Sequence, residues 1–276
     1  MSSNKEPHVH LNNARRHFLG LAAATGAKAA AMGALAATTI FPASIAQAMG
    51  KPWWKKGGGD GDPMCLLRGT SIMTPAGEVC IENLQIGDLV ETVRGKAMAV
   101  RWIGRHVYKR SGVSWLDSVV PIRIARHAFD AQTPHRDLYV SPGHALLIDG
   151  VLIRAKDLVN GTSIAPDLPA DRDTIEYFHI VLDSHEAILA EGAAAETFLV
   201  AANNHEGFTN FADFSRLHPA GQHVAMTPFA PIVGLDSGRE HLKVLLPVGL
   251  RRILQVRESA HGIRRRFAAR AEELAS

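Results

Sequence analysis

The sequence predicts an all-β domain over residues 65–199, and three observations support that fold class. Short runs of about the length of strands alternate between apolar and polar positions. Turn residues interrupt these runs at close intervals, and Asp149-Gly150 is a dipeptide typical of hairpin turns. The chain has 276 residues, of which 46% are hydrophobic, so it can bury a sizeable core. Short strands separated by turns at close intervals are typical of a β-sandwich or a distorted barrel.

The first half of this domain contains a predicted hairpin and three further strands. Residues 70–74 alternate and end at the turn signal Pro75-Ala-Gly77, and residues 79–81 continue the hairpin. The next strands are predicted at residues 89–93, 97–102 and 119–124.

The second half contains a strand, a turn and a second strand over residues 138–148. Residues 151–153 resume the pairing, and residues 155–160 predict one helical turn. Residues 178–182 and 187–190 are predicted to pair with each other around Asp183-Ser184-His185.

Three segments flank the predicted domain. Residues 1–48 are predicted as an export signal and residues 49–64 as a Gly-rich linker. Residues 200–276 form a mixed C-terminal extension, in which residues 250–274 predict an Arg-rich helix with a weak point at Gly262. This helix either is solvated or covers the domain; a basic helix that binds another surface is the alternative.

The first segment has the features of a twin-arginine export signal. Paired arginines precede an Ala/Gly-rich stretch, and two small residues mark a cleavage site after residue 48; these residues are Arg15, Arg16, Ala46 and Ala48. We therefore expect a protein that is exported, to the periplasm or outside the cell. Its partner would be the twin-arginine machinery, and its membrane contact would be through the signal only. A retained membrane anchor and an organellar transit peptide are the alternatives.

Charge and motif content argue against several classes of ligand. The formal net charge is +3, and no aromatic-basic motif accompanies it, so nucleic-acid binding is not expected. The sequence has neither a C-x-x-C nor an H-x-x-x-H pattern and lacks a phosphate-binding glycine loop. We therefore expect no metal and no cofactor.

Cysteine usage is sparse, since Cys65 and Cys80 are the only two. A disulfide framework needs more cysteines than this. A single Cys65–Cys80 bridge stays open as an alternative, and it would consume the free thiol.

Cys65 is a candidate nucleophile because it directly follows the linker. Its thiol can attack the carbonyl carbon of Met64 and convert the Met64–Cys65 peptide bond into a thioester, an N-to-S acyl shift. An amide is more stable than a thioester, so the reaction needs a proton donor for the departing nitrogen. A hydroxyl or N–H group beside the peptide would also help.

The sequence supplies these groups at one turn and on one late strand. Ser141-Pro-Gly-His144 presents a hydroxyl and an imidazole across a tight turn. His179 and His185 add two more imidazoles. The alternative interpretation of each histidine is a structural one.

Five sequence blocks in this order resemble the Hint superfamily, the module shared by hedgehog autoprocessing domains and inteins, and most closely its bacterial stand-alone branch. The resemblance covers residues 64–199. The blocks are LLRGTSIMTPAG after Cys65, ENLQIGDLVET, RWIGRHVYKR, LYVSPGHALLIDGVLIRAKDLVNG and YFHIVLDSHEAILAEGAAAETFL.

The resemblance implies a Hint fold and roles for individual residues. Cys65 matches the first-block nucleophile, and Ser141 and His144 match the threonine and histidine that bind and protonate the scissile amide. His179 lies near the position of an acidic or histidine helper. The implied activity is cleavage of the chain's own Met64–Cys65 bond, with its N-terminal segment as substrate in cis.

The chain departs from the family in its ending, in its sterol region and in the short upstream piece, since only the predicted signal and linker precede Cys65. The chain reads LVAANNHEGF where inteins end in a His-Asn pair followed by a second nucleophile, so ligation of flanking segments is not expected. It also has no recognisable sterol-binding region, and the acceptor nucleophile stays open. The alternatives are an exported non-catalytic module that keeps the Hint fold for binding, and a thiol hydrolase acting in trans through Cys65 and His144.

Overall fold

The structure is a computed structural model. It describes residues 64–112, 114–168, 173–201, 204–218, 226–233 and 250–275, with the backbone alone described for residues 250–261. The predicted signal with Arg15, Arg16, Ala46 and Ala48, and the linker up to residue 63, lie outside the described residues.

The described part of the chain is mainly β, as predicted, with a few helices. Its strands are β1 Leu66–Leu67, β2 Ser71–Thr74, β3 Gly77–Cys80, β4 Leu89–Glu91, β5 Ala97–Ala99, β6 Trp102–Lys109, β7 Ile122–Ile124, β8 Leu138–Val140, β9 Ala145–Ile148, β10 Val151–Arg154, β11 Ile164–Pro166, β12 Thr174–Val181, β13 Ala187–Ala190, β14 Ala193–Glu196 and β15 Ile232–Val233. The α-helices are α1 Ala155–Leu158, α2 Phe211–Leu217 and α3 Leu250–Ala275, and 3₁₀ turns lie at Ile81–Asn83, Asp117–Val119 and Asn204–Gly207.

The strands form two large sheets and one small one. One sheet has the order β11-β7-β8-β1-β12-β6, the second has the order β15-β10-β9-β14-β13-β2-β3, and β4 pairs with β5. All pairs are antiparallel except β10 with β15. The strand β1, which directly follows Cys65, therefore lies inside a sheet between β8 and β12.

Strand β12 separates two regions of the core, because successive side chains of a strand point to opposite faces. Ile175, Tyr177 and Val181 pack with Trp102 in one buried cluster. Even-numbered neighbours such as Phe178 pack in the larger cluster on the other face. The alternation puts His179 on the same face as Tyr177, and the rings around the candidate site lie on that face.

Two details of the predicted strands are wrong. Residues 178–182 and 187–190 do not pair with each other: β12 pairs along its whole length with β6, and β13 pairs with β14 and β2. The predicted strand 97–102 is two strands, β5 and the start of β6. The alternation of apolar and polar residues identifies a strand but not its partner. The eight-residue strand β6 pairs with β12 over more residues than a local hairpin would.

Helix α3 covers part of the β domain. Ile263 and Phe267 are buried in its larger core cluster, and the Phe267 ring stacks on Phe129 at 4.9 Å between centroids. Gly262, predicted as a weak point, lies inside the helix. None of the helices in the described ranges combines the length and the apolar character that a membrane crossing requires.

Candidate active site

Cys65 lies at the entrance to β1 and is completely buried. It is packed in the cluster that contains Leu67, Tyr177 and Phe198, with Met64 partly buried against it. Burial raises the pKa of the Cys65 thiol well above its usual value, and the backbone of Met64 opposes this rise. The thiol is therefore protonated at neutral pH, and it needs a base before it can act as a nucleophile.

Ser141 binds the backbone of Cys65 through two hydrogen bonds. The Cys65 N–H donates to Ser141 Oγ at 2.7 Å, and the Ser141 N–H donates to the Cys65 carbonyl oxygen at 2.8 Å. The first of these bonds involves the nitrogen of the Met64–Cys65 peptide. Both partners are buried, so the orientation of Cys65 is fixed in a region from which water is excluded.

The Ser141–His144 turn is held by the start of helix α1. The His144 N–H donates to the Ser141 carbonyl at 3.1 Å, which closes the turn. The Ala155 N–H then donates to the His144 carbonyl at 2.8 Å, and the Lys156 N–H donates to the Pro142 carbonyl at 3.1 Å. The turn thus uses the free N–H groups at the beginning of a helix as its support.

The His144 imidazole is completely buried beside the same peptide. Burial lowers its pKa; the Glu196 carboxylate and the nearby Met64 carbonyl raise it, and His185 lowers it again. Although the Met64 carbonyl is close enough to act on this pKa, neither ring nitrogen makes a well-formed hydrogen bond with a described residue. His144 is therefore neutral at pH 7, with its ring nitrogens able to accept or return a proton.

His179 lies next to His144. Their ring centroids are 5.2 Å apart, and the Phe198 ring lies 5.2 Å from His179 in an edge-to-face arrangement. Burial lowers the pKa of His179 well below its usual value, and His144 lowers it further. His179 is thus a neutral, enclosed neighbour of His144 and does not itself contact Cys65 by a hydrogen bond.

The sequence profile of the Hint domain family matches residues 64–202, which is just over half of the chain. The chain belongs to the Hint domain family. This family is part of the hedgehog/intein superfamily.

Solved structures similar to this Hint domain include inteins and an intein-like domain. The MchDnaB-1 intein is 12% identical, with 48% of this chain and 99% of that chain covered and a TM-score of 0.34. The gp41-1 intein is 17% identical, with 48% and 96% covered and a TM-score of 0.34. The bacterial intein-like domain from Clostridium thermocellum is 15% identical, with 49% and 99% covered and a TM-score of 0.34. No curated protein matches the chain.

In this Hint domain, Glu196 is a buried carboxylate that sequence reasoning missed. Its Oε1 accepts the Ala145 N–H at 2.8 Å, and its Oε2 lies 3.5 Å from His185 Nε2. The other nitrogen of that ring, His185 Nδ1, accepts the Phe229 N–H at 2.9 Å, so the proton of a neutral His185 is on the side of Glu196. Glu196 is the lone acidic side chain in the apolar run AAAETF, and this is the signal that could have identified it.

Two tyrosines near the Cys65 thiol were also missed. Burial, and then the proximity of Cys65, raises the pKa of Tyr108 to about 12 and that of Tyr177 well above its usual value. The Tyr177 hydroxyl donates to the Val119 carbonyl at 2.9 Å. Tyr177 lies two residues before His179 on β12, and this spacing is the sequence signal that could have placed Tyr177 beside the site.

The Hint domain therefore brings the predicted Cys65, Ser141, His144 and His179 into one buried region. Cys65 and Cys80 are both free thiols, so no disulfide consumes the Cys65 thiol. A peptide nitrogen bound by a hydroxyl, a buried thiol and a neutral imidazole are the groups that an acyl shift from nitrogen to sulfur uses.

Proposed function

We propose that this Hint domain cleaves its own chain between Met64 and Cys65, by an N-to-S acyl shift followed by hydrolysis or transfer of the thioester. The observation that carries the proposal is the pair of hydrogen bonds between Ser141 and Cys65, one of which binds the nitrogen of the scissile peptide. The neutral His144 imidazole beside the Met64 carbonyl supports the same reaction.

The first step moves one proton and exchanges one bond. The Cys65 thiol gives its proton to His144 while Sγ attacks the Met64 carbonyl carbon and forms a C–S bond. The C–N bond then breaks, and the nitrogen takes the proton back from His144 and becomes the free amine of Cys65. The product is a thioester between Met64 and the Cys65 side chain.

The second step releases the upstream segment. Water adds its hydroxyl to the Met64 carbonyl carbon and its remaining proton to the departing thiolate, which restores the Cys65 thiol. Another nucleophile with an exchangeable proton can take the place of water, and it then bonds to the Met64 carbonyl carbon and gives its proton to the thiolate. Because the chain lacks the His-Asn ending of inteins, we propose release without ligation.

The burial of the site has opposite effects on the two steps. It keeps the Cys65 thiol protonated, which makes the acyl shift depend on a base within the site. It also excludes water from the peptide, so hydrolysis requires the thioester to become accessible. A slow reaction that a small thiol accelerates by capturing the thioester is therefore expected.

We also propose that cleavage separates the domain from its export signal or, where the signal has already been removed after Ala48, from the short segment 49–64. The twin-arginine pattern of Arg15 and Arg16 and the small residues Ala46 and Ala48 precede the scissile bond. The proposed location of the released domain is the periplasm or the exterior of the cell, and the N-terminal segment is its substrate in cis.

The test compares the intact chain with three alanine variants by mass spectrometry, with and without dithiothreitol. The original chain should yield a fragment that ends at Met64 and one that begins at Cys65, with more of both when dithiothreitol is present. Cys65→Ala should abolish both fragments, and His144→Ala should slow their formation by roughly 10²–10⁴-fold. Cys80→Ala is the matched control, because it removes the other free thiol, and it should cleave like the original chain.

Three outcomes would overturn the proposal. Persistence of the fragments in Cys65→Ala would identify an ordinary contaminating or intrinsic protease. A folded chain that gives no fragments even with dithiothreitol would favour a non-catalytic binding module. Turnover of an added thioester or peptide without self-cleavage would favour a thiol hydrolase acting in trans.

A further inference from the structure

We propose that Glu78, His135 and Glu191 bind a divalent transition-metal ion of the Zn²⁺ class, and that none of the residues assigned above to cleavage is a ligand. One ligand atom from each of the three side chains lies within 4.8 Å of the other two. The inference does not depend on self-cleavage.

The distances between the donor atoms fit such an ion. His135 Nε2 is 2.9 Å from Glu78 Oε1 and 3.3 Å from Glu191 Oε2. Metal–ligand bonds of about 2.0–2.1 Å place neighbouring donors of a tetrahedral site about 3.3 Å apart. The remaining pair of donors, on Glu78 and Glu191, lies within 4.8 Å, and a shift of the exposed Glu78 side chain would bring the three donors to that spacing.

The environment of Glu191 is an independent reason to propose a metal ion at this site. Glu191 is only 4% exposed, and its Oε1 accepts the Ser71 N–H at 2.7 Å. Its Oε2 is buried, faces His135 and accepts no well-formed hydrogen bond from the described residues. An imidazolium has a single proton on Nε2 and can donate it to only one of the two carboxylates. A divalent cation would instead satisfy Glu78, Glu191 and a neutral His135 together.

The backbone fixes two of the three ligands before any metal binds. The Glu191 N–H donates to the Ser71 carbonyl at 2.9 Å, and the His135 N–H donates to the Glu191 carbonyl at 3.0 Å. Gly192 has a φ of +79°, and a Cβ there would lie 2.9 Å from His135 Nδ1. Glycine is therefore needed for the imidazole to approach this turn, and the approach directs Nε2 towards the two carboxylates.

The donor set selects the class of metal. One imidazole nitrogen and two carboxylate oxygens suit Zn²⁺ and related first-row ions, whereas Mg²⁺ and Ca²⁺ prefer sites made of oxygen alone. The sequence predicted no metal because it contains no short ligand motif. His135 is 57 residues after Glu78 and 56 residues before Glu191, so only the folded chain brings the three together.

The ion would join three segments of the domain. Glu78 lies on β3, His135 lies in the connection between β7 and β8, and Glu191 lies in the turn between β13 and β14. Metal binding would thus fasten the β2–β3 hairpin to the turn beside it and stabilise the folded state by mass action. Its expected role is structural.

The test measures Zn²⁺ binding by calorimetry in the full chain carrying Cys65→Ala and Cys80→Ala. This background removes both thiols as competing ligands and prevents thiol-dependent cleavage, so failure of the proposed function does not affect the result. We expect one tight Zn²⁺ equivalent per chain, and no comparable binding of Mg²⁺ or Ca²⁺. The melting temperature should rise by roughly 5–10 °C when free Zn²⁺ is about a hundredfold above Kd.

Single substitutions in this background identify the ligands. Glu78→Gln, His135→Gln and Glu191→Gln should each weaken Zn²⁺ binding at least tenfold, while the exposed control Glu272→Gln should leave it unchanged. Glu191→Gln keeps an oxygen for the Ser71 N–H, and circular dichroism checks that each variant folds. Background binding at other histidines is the same in all variants and cancels in the comparison.

Two results would overturn the site. One is the absence of a tight Zn²⁺ equivalent in the folded background chain. The other is equal Zn²⁺ affinity in the three ligand variants and in Glu272→Gln. In either case, the three side chains form an ion-pair cluster only.

Discussion

Gly104 lies directly opposite His179 in the β6–β12 pair, and aromatic rings occupy the space that a side chain on Gly104 would need. A Cβ on Gly104 would lie 2.6 Å from the Phe208 ring and 2.8 Å from the Trp102 ring. Phe208 in turn packs edge-to-face on Phe198, which covers the His179 ring. The absence of a side chain at residue 104 therefore determines how closely the aromatic wall of the site is packed.

Gly104→Ala tests this packing. The added methyl forces the rings apart, so we expect the free energy of unfolding to fall by about 1–3 kcal/mol and cleavage at Met64–Cys65 to slow. Denaturant unfolding and the rate of fragment formation measure the two effects. Gly112→Ala is the control, because a Cβ there meets nothing within 4 Å, and it should change stability by less than about 0.5 kcal/mol. Equal stability of the two variants would show that the rings move without cost.

Ser141→Ala tests the hydrogen bond to the nitrogen of the Met64–Cys65 peptide. The substitution leaves the buried Cys65 N–H without its acceptor at 2.7 Å, at a cost of about 1–3 kcal/mol in the free energy of unfolding. Cleavage should slow on the order of tenfold or more because the peptide is no longer oriented. Ser141→Thr keeps the hydroxyl and should cleave within a few-fold of the original rate. Mass spectrometry of timed samples gives the rates, and identical rates for the two variants would contradict a role for Oγ.

Glu196→Gln tests the electrostatic control of His144 through the pH dependence of cleavage. Burial lowers the pKa of His144 and the Glu196 carboxylate raises it, so loss of that charge lowers it further. Because the neutral imidazole is the proposed base, the original rate should fall as the pH drops below the pKa of His144. In Glu196→Gln this fall should begin at a lower pH.

The same substitution should reduce the rate on the neutral plateau, on the order of tenfold, since the imidazolium formed during the reaction loses its nearby counter-charge. The glutamine oxygen still accepts the Ala145 N–H, which separates charge from structure. Glu206→Gln is the control with an exposed carboxylate. An unchanged pH profile in Glu196→Gln would show that the carboxylate acts on packing alone.

Local pattern was sufficient to predict much of the fold. The β2–β3 hairpin and the β8-turn-β9 unit were predicted because alternation and turn residues are neighbours in the sequence. The partner of β12 was not predictable in this way, since its register with β6 joins residues more than sixty positions apart. Strand pairing over such distances depends on the packing of the whole sheet.

The candidate site likewise contains residues that local patterns identify and residues that they do not. Cys65 and the Ser141–His144 turn could be found from the sequence because a thiol after a linker and a hydroxyl three residues before an imidazole are local patterns. Tyr108 could not be found in this way, and the only local signal for Glu196 is its place as the lone acidic residue of an apolar run. Their relation to the site comes from burial and from contacts made across two sheets, and short spacing does not encode these.

Phe267→Ala tests whether helix α3 stabilises the β domain. Phe267 is 2% exposed and stacks on Phe129, so its removal leaves a cavity at the helix–sheet contact. We expect the free energy of unfolding to fall by about 3–5 kcal/mol, measured by denaturant unfolding at constant pH. Leu274→Ala is the control on the same helix: Leu274 is 42% exposed, and its truncation should cost less than about 1 kcal/mol. If both variants unfold at the same denaturant concentration as the original chain, the helix does not contribute to the cooperative unit, and its contact with the sheet is marginal in solution.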